Sequence, residues 1–192
     1  MNIKQSIAVF VCVCGIGGMA VKSADAYQID PVHSAFLFRI KHLNTSYTHG
    51  RINTSSGTLT LDDADASKCG IELEVKADSV DTFNEKRDQH LKGPDFFNAK
   101  QFPSITFKSK SVKKSGDADY DVSGDFTLLG VTKEITVKFA RVGSGKDPWG
   151  GARTGFEGTF EIKRSDYGMK AMLDGVGDDV RITVSVEAVK KA

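Results

Sequence analysis

Apolar and polar residues alternate with a period of two through most of the chain after residue 26. In segment 71–78 every odd position is apolar and every even position is charged, and segment 180–188 again places an apolar residue at every second position. Such alternation is typical of β-strands that have one buried face and one face in water. The pattern predicts six further strands, near 36–40, 50–61, 105–107, 122–128, 135–139 and 153–163.

One segment between two of these strands has the signals of a helix instead. Asn84 is suited to cap the N-terminus of a helix over residues 85–91, and Gly93 with Pro94 would end it. Residues 95–98 are expected to form a second short turn. The sequence therefore predicts a short helical insertion in an otherwise all-β domain.

About eight amphipathic strands must bury their apolar faces against one another, and a closed antiparallel barrel or a sandwich would do this. Only the barrel removes both sheet edges. The interior of an eight-stranded barrel is just wide enough either to fill with side chains or to hold one slim ligand. The pattern leaves those two states open. Neither an internal repeat nor a break in composition marks a second domain.

The N-terminal segment 1–26 has the organisation of a cleavable export signal. Lys4 provides a positive start, residues 7–21 are apolar or small without charge, and Ala24 and Ala26 satisfy the small-residue rule of signal peptidase. We therefore expect cleavage after Ala26, which leaves a single domain over 27–192. A retained membrane anchor is disfavoured because the apolar run is shorter than the roughly 20 residues that span a bilayer.

Cleavage would change the charge balance and the cysteine content. The whole chain has 26 Lys and Arg against 25 Asp and Glu, and loss of Lys4, Lys22 and Asp25 makes the two numbers equal. A neutral chain has no general basic field to attract nucleic acid. Of the three cysteines only Cys69 would remain, so an internal disulfide is excluded and stability must come from packing.

Metal-binding and catalytic patterns are weak in this sequence. The histidines match neither H-x-x-x-H nor H-E-x-x-H spacing, so no metal site is predicted. They are His33, His42, His49 and His90. Ser34, Asp88 and His90 could be written as a triad, but no G-x-S-x-G elbow supports it. The sequence also lacks a phosphate-binding Gly loop and a dinucleotide fingerprint, so no catalytic residue and no cofactor are expected.

A series of short motifs stands in a fixed order along the chain. The motif with the most specific sequence is Asn84-Glu85-Lys86-Arg87-Asp88-Gln89-His90-Leu91, and the others lie at 27–34, 38–43, 79–82, 95–98, 102–103, 124–128, 130–133, 147–150 and 164–168. The ordered set resembles the YceI-like family of bacterial periplasmic proteins, also called polyisoprenoid-binding proteins. Three residues depart from the family pattern: Phe83 replaces a usual Gly, Glu134 a usual Pro, and Ile52 a frequent Phe.

The resemblance implies a lipocalin-like antiparallel β-barrel whose elongated apolar cavity holds a polyisoprenoid chain, such as the tail of a prenyl quinone or a prenyl phosphate. It further implies non-catalytic binding, transport or storage of that lipid in the periplasm, without stable insertion in a membrane. Dimers are common in the family, so a homodimer is one expected state. A periplasmic enzyme acting on an amphiphile and a ligand-free, stress-protective barrel remain the alternatives.

Apolar residues at the inward positions of the predicted strands are the candidates for the cavity lining. Each of them could contact a ligand or simply pack against its neighbours, as buried phenylalanines usually do. They are Phe36, Phe38, Ile105, Phe107, Phe126, Leu128, Ile135, Val137, Phe139, Phe156 and Phe160.

Polar residues of the predicted helix are the candidates for a cavity mouth that binds the lipid head group. They are Asn84, Arg87, Asp88 and His90. Arg87 could give charge-assisted hydrogen bonds to a quinone carbonyl or a pyrophosphate. The structural alternative is that Arg87 and Asp88 fix the insertion to the barrel through ion pairs with Arg164 or Asp166.

Overall fold

Eleven β-strands pair into one antiparallel sheet in a computed structural model of the chain, which describes residues 24–191. The strands are β1 (Asp25–Ile29), β2 (Ala35–His42), β3 (Ser46–Ile52), β4 (Ser55–Leu61), β5 (Gly70–Lys76), β6 (Val80–Asp81), β7 (Ser104–Lys114), β8 (Asp119–Leu128), β9 (Val131–Lys146), β10 (Ala152–Lys163) and β11 (Val176–Lys190). The α-helix α1 (Glu85–Lys92) and three 3-10 helices (Ala66–Lys68, Ala77–Ser79 and Arg164–Tyr167) complete the fold. Each predicted strand coincides with at least one of these strands.

The sheet closes into a barrel of eight strands in the order β1-β4-β5-β7-β8-β9-β10-β11, because β1 also pairs with β11. The three remaining strands continue members of this ring after a short break. Thus β2 follows β1, β3 precedes β4, and β6 follows β5. The first part of β11 pairs with β2, β2 pairs with β3, and β3 pairs with β6. The predicted antiparallel barrel with a short helical insertion is confirmed.

Local sequence explains why these strands are broken. Pro31 lies between β1 and β2, where it has no N–H to donate to the sheet. The 3-10 helix Ala77–Ser79 separates β5 from β6. The single strand predicted over 50–61 is divided between β3 and β4. The alternation did not predict β1, because Ala26 and Tyr27 are adjacent apolar residues and the strand begins within the predicted export signal. It did not predict β6 because that strand has only two residues.

Burial inside the barrel follows the predicted alternation. Along β8 every second residue from Tyr120 to Leu128 is buried and those between are half-buried. The ring of Phe126 meets Phe160 and Tyr167 edge-on, with centroids 5.8 Å and 5.5 Å away. Aromatic pairs in this geometry add to the stabilisation that burial alone provides.

The two ends of the barrel differ in what covers them. We call one of them the helical end, because the insertion 82–103 lies there together with the β2–β3 hairpin, the β8–β9 turn and the β10–β11 connection 164–175. Among the described strands, β6 pairs only with β3, so the sheet leaves a gap between β6 and β7 at this end. The helix α1 follows β6 and contacts it.

The predicted export signal lies almost wholly outside the described residues. Of its 26 positions, Asp25 and Ala26 belong to β1, where they pair with Leu61 and Thr60. Cleavage after Ala26 would retain the contact of β1 with β11, which runs from Tyr27 to Ile29. In the described part of the chain, no helix has both the length and the apolar character required to cross a bilayer.

Candidate functional site

A cavity of about 360 Å³ occupies the half of the barrel nearer the helical end. This volume falls within the range of roughly 300–1,000 Å³ that small-molecule sites have. Side chains from β2, β3, β5 and β7 to β11 border it. Nine of the predicted lining residues are among them: Phe36, Phe38, Ile105, Phe107, Phe126, Leu128, Val137, Phe139 and Phe160.

Two predicted lining residues lie elsewhere. Phe156 borders a separate space of about 30 Å³ farther from the helical end, where its ring lies 5.9 Å from that of Tyr120. Ile135 is half-buried and packs against the edge of the hydrophobic core. Inward direction along a strand is therefore not enough to place a side chain on the cavity, because the cavity fills only part of the barrel's length.

The insertion supplies lining residues that strand alternation could not identify. Leu91, Phe96 and Phe97 border the cavity, and the ring of Phe97 meets that of Phe38 with centroids 6.5 Å apart. Met169 and Met172 from the β10–β11 connection border it as well. The helix itself has no buried residue. The insertion therefore covers the cavity as a roof, in which Phe96 and Ala99 after the helix are buried and the helix itself is not.

Thr82, which is only 2% exposed, anchors this roof. It belongs to the ordered motif 79–82, but it was not among the predicted site residues. Arg87 donates from Nε to Thr82 Oγ1 over 2.7 Å and from Nη2 to the Thr82 carbonyl over 2.5 Å. Asp88 Oδ1 accepts hydrogen bonds from the backbone N–H and the hydroxyl of Thr82, over 2.8 Å and 2.5 Å. Asn84 caps α1 as predicted, with Oδ1 accepting from the Arg87 N–H over 3.0 Å.

The alternative role of Arg87 and Asp88, to fix the insertion through ion pairs with the 164–166 segment, is wrong in its partners. Arg87 and Asp88 bind Thr82 rather than Arg164 or Asp166, and Asp166 pairs with Lys133 over 3.2 Å. Arg87 and His90 nevertheless border the cavity, whereas Asn84 and Asp88 serve the helix and its anchor.

Replacing Thr82 with Val should loosen the roof while leaving the barrel folded. Val keeps the branched shape but removes the hydroxyl that bonds both Arg87 and Asp88. We expect a local loss of about 1.5 kcal/mol, seen as roughly tenfold faster amide exchange within α1. Hydrogen exchange measured by mass spectrometry checks this, with Thr82→Ser, which keeps the hydroxyl, as the control. Equal exchange of α1 in Thr82→Val and in the unmodified protein would contradict the assignment.

The residues of the hypothetical triad are bound to three different partners. Ser34 Oγ donates to the Asp30 carbonyl over 2.7 Å, Asp88 binds Thr82, and His90 Nε2 lies 3.2 Å from Asp95. The structure does not assemble Ser34, Asp88 and His90 into one site.

A second polar cluster centres on Arg153, at the barrel end opposite the helical end. Its guanidinium binds three carboxylates: Asp30 over 2.8 Å, Asp147 over 3.0 Å and Glu187 over 2.5 Å. The potential ligand atoms of Asp30, His33 and Glu187 lie within 4.8 Å of one another, which is close enough for a metal ion. Since Arg153 Nη1 already binds two of these three groups, a cation would have to displace the guanidinium.

This cluster makes stability depend on pH in the acid range. Hydrogen bonds from Arg153, and then from His33, lower the pKa of Asp30 far below its usual value. An unfolded Asp titrates near pH 3.9, so the stabilisation is complete above that pH and is lost as pH falls through the lower pKa of the folded state. The backbone N–H of Gly151, and then the guanidinium of Arg153, lower the pKa of Asp147. Hydrogen bonds to Asp30, Glu187 and Asp147 raise the pKa of Arg153.

We expect Asp30→Asn to be less stable than the unmodified protein at neutral pH and to converge with it in acid. Urea unfolding midpoints measured from neutral pH to about pH 2 check this. The control is Asp179→Asn, which removes a carboxylate that is 71% exposed and bound to Lys163. Exposed ion pairs of this kind contribute little to the free energy of unfolding, so this variant should keep nearly the stability of the unmodified protein at each pH. A stability difference between Asp30→Asn and the unmodified protein that stays constant across this range would show that the low pKa of Asp30 does not stabilise the fold.

Cys69 is half-buried next to Asp62, whose backbone N–H lies 3.3 Å from the sulfur. Burial is the main cause that raises the pKa of the thiol, with nearby carboxylates adding to it. A raised pKa reduces the thiolate fraction and hence the nucleophilicity.

The closed barrel and its apolar cavity define a lipocalin-like class of barrel. The family model of the YceI-like domain matches residues 27–188. The chain therefore belongs to the YceI-like family, as the ordered motifs predicted.

Relatives of known sequence agree with this membership. The chain is 41% identical to protein YceI of Escherichia coli O17:K52:H18 over 167 residues, which cover 86% of this chain and 87% of that protein. It is 37% identical to a UPF0312 protein of Pseudomonas aeruginosa over 191 residues, which cover 98% of this chain and all of the relative.

Solved structures show the same barrel. The YceI protein of Campylobacter jejuni superposes with a TM-score of 0.70 at 32% identity, covering 79% of this chain and 90% of that one. BcnA of Burkholderia cenocepacia superposes with a TM-score of 0.76 at 24% identity, and the match covers 83% of this chain and 98% of BcnA. A polyisoprenoid-binding domain of Saccharophagus degradans superposes with a TM-score of 0.68 at 17% identity, and the match covers 87% of this chain and 99% of that domain. The last two likenesses concern the fold alone.

Proposed function

We propose that this chain is a non-catalytic carrier or storage protein for a long-chain polyisoprenoid lipid, exported to the periplasm. The observation that carries the proposal is the apolar cavity under the helical roof. An apolar chain in such a cavity is held by removal of its surface from water, at roughly 25 cal/mol per Å². This mode of binding needs the aliphatic and aromatic lining that the barrel provides and needs no catalytic group.

The lipid could enter the cavity at the helical end, where the insertion 82–103 forms the roof. It lies over the gap between β6 and β7, has no buried residue in its helix and is anchored through Thr82. Segments with few buried contacts open at low free-energy cost. Displacement of α1 would expose the cavity at the helical end without breaking the eight-stranded ring. The fold likeness to a domain described as polyisoprenoid-binding agrees with this proposal.

Native mass spectrometry of the protein purified from its own cell envelope tests the proposal. We expect a fraction of the protein to carry a lipid of defined mass with an isoprenoid tail. The same spectrum distinguishes a monomer from the homodimer that the family resemblance allows, and its mass gives the N-terminal residue, which we expect to be Tyr27. Protein that is free of lipid and also fails to bind any added prenyl lipid would overturn the carrier function.

A further inference from the structure

Three exposed apolar side chains at the helical end belong to two segments that are hydrogen-bonded to each other. Leu43 in the β2–β3 turn is 60% exposed, and Met172 and Leu173 in the β10–β11 connection are 59% and 42% exposed. The Leu43 N–H donates to the Gly175 carbonyl over 2.7 Å, and the Gly175 N–H donates to the Met172 carbonyl over 3.0 Å. We call Leu43, Met172 and Leu173 the apolar tip.

The β2–β3 turn presents Leu43 in a conformation that suits other residues better. Leu43 and Asn44 are its two central residues, with φ of +50° and +55°, and the Thr45 N–H donates to the His42 carbonyl over 3.0 Å. Hairpin turns with positive φ at both central positions favour Asn, Asp or Gly, because the left-handed region is sterically costly for a bulky side chain. Neither the turn nor its exposure to water therefore explains an apolar residue at position 43.

The apolar tip adjoins the cavity. Met172 borders the cavity and is also largely exposed, and His42, which precedes Leu43, borders the cavity as well. An apolar phase that covered the tip would therefore meet the cavity at Met172.

Basic side chains lie behind the tip on the outer face of the sheet. Arg181 of β11 pairs with Arg39 of β2, and Arg39 pairs with His49 of β3. Lys41, two residues nearer the tip, pairs with Tyr47. We call Arg39, Lys41, His49 and Arg181 the basic band. Like charges on directly opposed residues destabilise a sheet, so the pair of Arg39 and Arg181 costs stability.

The basic band is poorly neutralised by the chain itself. Within residues 24–191, no carboxylate forms an ion pair with Arg39, Lys41 or Arg181, and this includes Glu161, which lies opposite Arg181 on β10. The guanidinium carbon of Arg39 lies 4.4 Å from the centre of the Tyr47 ring, and Arg39 Nε has no hydrogen-bond partner in this part of the chain. The band therefore keeps a local positive charge.

The spacing between the tip and the band matches the layers of a bilayer surface. Lys41 and Arg39 lie two and four residues before Leu43, which is about 7 Å and about 13 Å at 3.3 Å per residue. Interfacial apolar residues penetrate roughly 5–10 Å into the boundary between head groups and acyl chains. With Leu43 at that depth, the basic band lies at the level of the lipid phosphates, where Tyr side chains such as Tyr47 are also enriched.

We propose that the helical end docks reversibly on a bilayer that contains anionic phospholipids, with the apolar tip in the interface and the basic band against the phosphates. The inference goes beyond the carrier function, because it assigns the surface through which the cavity faces a membrane. A second copy of the chain fits this surface less well, since a two-fold contact through the tip would bring two basic bands together.

Flotation with lipid vesicles tests this inference on the protein purified from its own cell envelope. We expect binding to phosphatidylcholine vesicles that contain phosphatidylglycerol, weaker binding to phosphatidylcholine alone, and a decline of the difference with added salt. Lys41→Gln should weaken binding to the anionic vesicles about fivefold, the usual contribution of one basic residue near such a surface. Lys138→Gln, at an exposed position of β9, is the matched control and should bind normally.

A second pair of variants tests the apolar tip. Leu43→Asn suits the turn, so it should fold normally but bind roughly tenfold more weakly, because an apolar side chain no longer leaves water. The control is Val142→Asn, which removes a 73% exposed apolar residue of β9 and should not change binding. Normal binding of Leu43→Asn overturns the role of the tip.

The single tryptophan of the chain reports which end meets the bilayer. Trp149 is 87% exposed in the β9–β10 loop, and the twelve residues of β10 separate this loop from the β10–β11 connection. With brominated phospholipids in the vesicles, the fluorescence of Trp149 should stay unquenched in the bound protein. In Leu43→Trp combined with Trp149→Phe, the fluorescence should be quenched. The opposite result in either protein overturns the helical end as the docking surface.

The remaining outcomes separate docking from the carrier function. Absence of binding to either vesicle, or equal binding to both, overturns docking on an anionic bilayer. A dimer that dissociates in Leu43→Asn, seen by native mass spectrometry, assigns the tip to a second copy and also overturns it. The carrier function stands or falls with the lipid found inside the purified protein, which none of these measurements reads.

Discussion

Val180→Trp is expected to weaken lipid binding by close to a hundredfold while the barrel still folds. Val180 lies on β11, pairs with Ile40 and Ile162 of the neighbouring strands and borders the cavity. A buried indole covers roughly 200 Å². If half of that area replaces contact with ligand, about 2.5 kcal/mol of binding is lost, which approaches a hundredfold in Kd.

The adjacent residue provides the control for this experiment. Arg181 is exposed and points to the outer face of the barrel, so Arg181→Trp adds the same side chain without entering the cavity. Titration with a prenyl lipid, followed by native mass spectrometry, should show unchanged affinity in Arg181→Trp and close to a hundredfold weaker affinity in Val180→Trp. Circular dichroism melting verifies that both variants fold, since an oversized residue costs typically 1–3 kcal/mol. Equal affinity of the two variants would place the ligand outside this cavity.

Gly124→Ala is expected to be the most destabilising of the conservative substitutions considered. A Cβ at this position would lie 2.4 Å from the Lys108 carbonyl oxygen and 2.7 Å from Ser109 Cα. Both atoms belong to the backbone of β7, next to the register shift between Ser109 and Ser111. Since the sheet must move to relieve the contact, we expect a loss of about 3 kcal/mol in the free energy of unfolding.

Gly143→Ala is the matched control, because a Cβ at position 143 of β9 would have no atom within 4 Å. Its effect should stay within about 0.5 kcal/mol. Urea denaturation followed by circular dichroism measures both variants. A loss of stability that is equal in the two, or absent in Gly124→Ala, would show that the close approach of β7 and β8 at this bulge does not determine stability.

The departure of Phe83 from the family pattern has a physical consequence that only the backbone reveals. Its φ is +63°, in the left-handed region where Gly is free of the steric cost of a Cβ. The ring is 76% exposed, and the guanidinium carbon of Arg51 lies 5.6 Å from its centroid. The loop between β6 and α1 therefore keeps the conformation that suits Gly, and Phe83 makes a surface contact that Gly could not make.

Features that depend on neighbouring residues were accessible from the sequence. The alternation in segments such as 71–78 specified strands because each second side chain must leave water, and Asn84 specified a helix start because its side chain caps the adjacent N–H groups. The period-two alternation also predicted which apolar side chains point into the barrel, and nine of these predicted lining residues border the cavity.

Features that depend on distant residues were decided by the tertiary structure alone. Closure of the barrel joins Tyr27 to Lys190. The lining by Phe97 and the anchoring of α1 by Thr82 depend on how the insertion folds back over the gap between β6 and β7. The burial of Arg164 requires the β10–β11 connection to wrap around it. The sequence thus determined which faces of the strands are buried. Packing between remote segments determined which part of the barrel interior forms the cavity and that the buried Arg164 borders it.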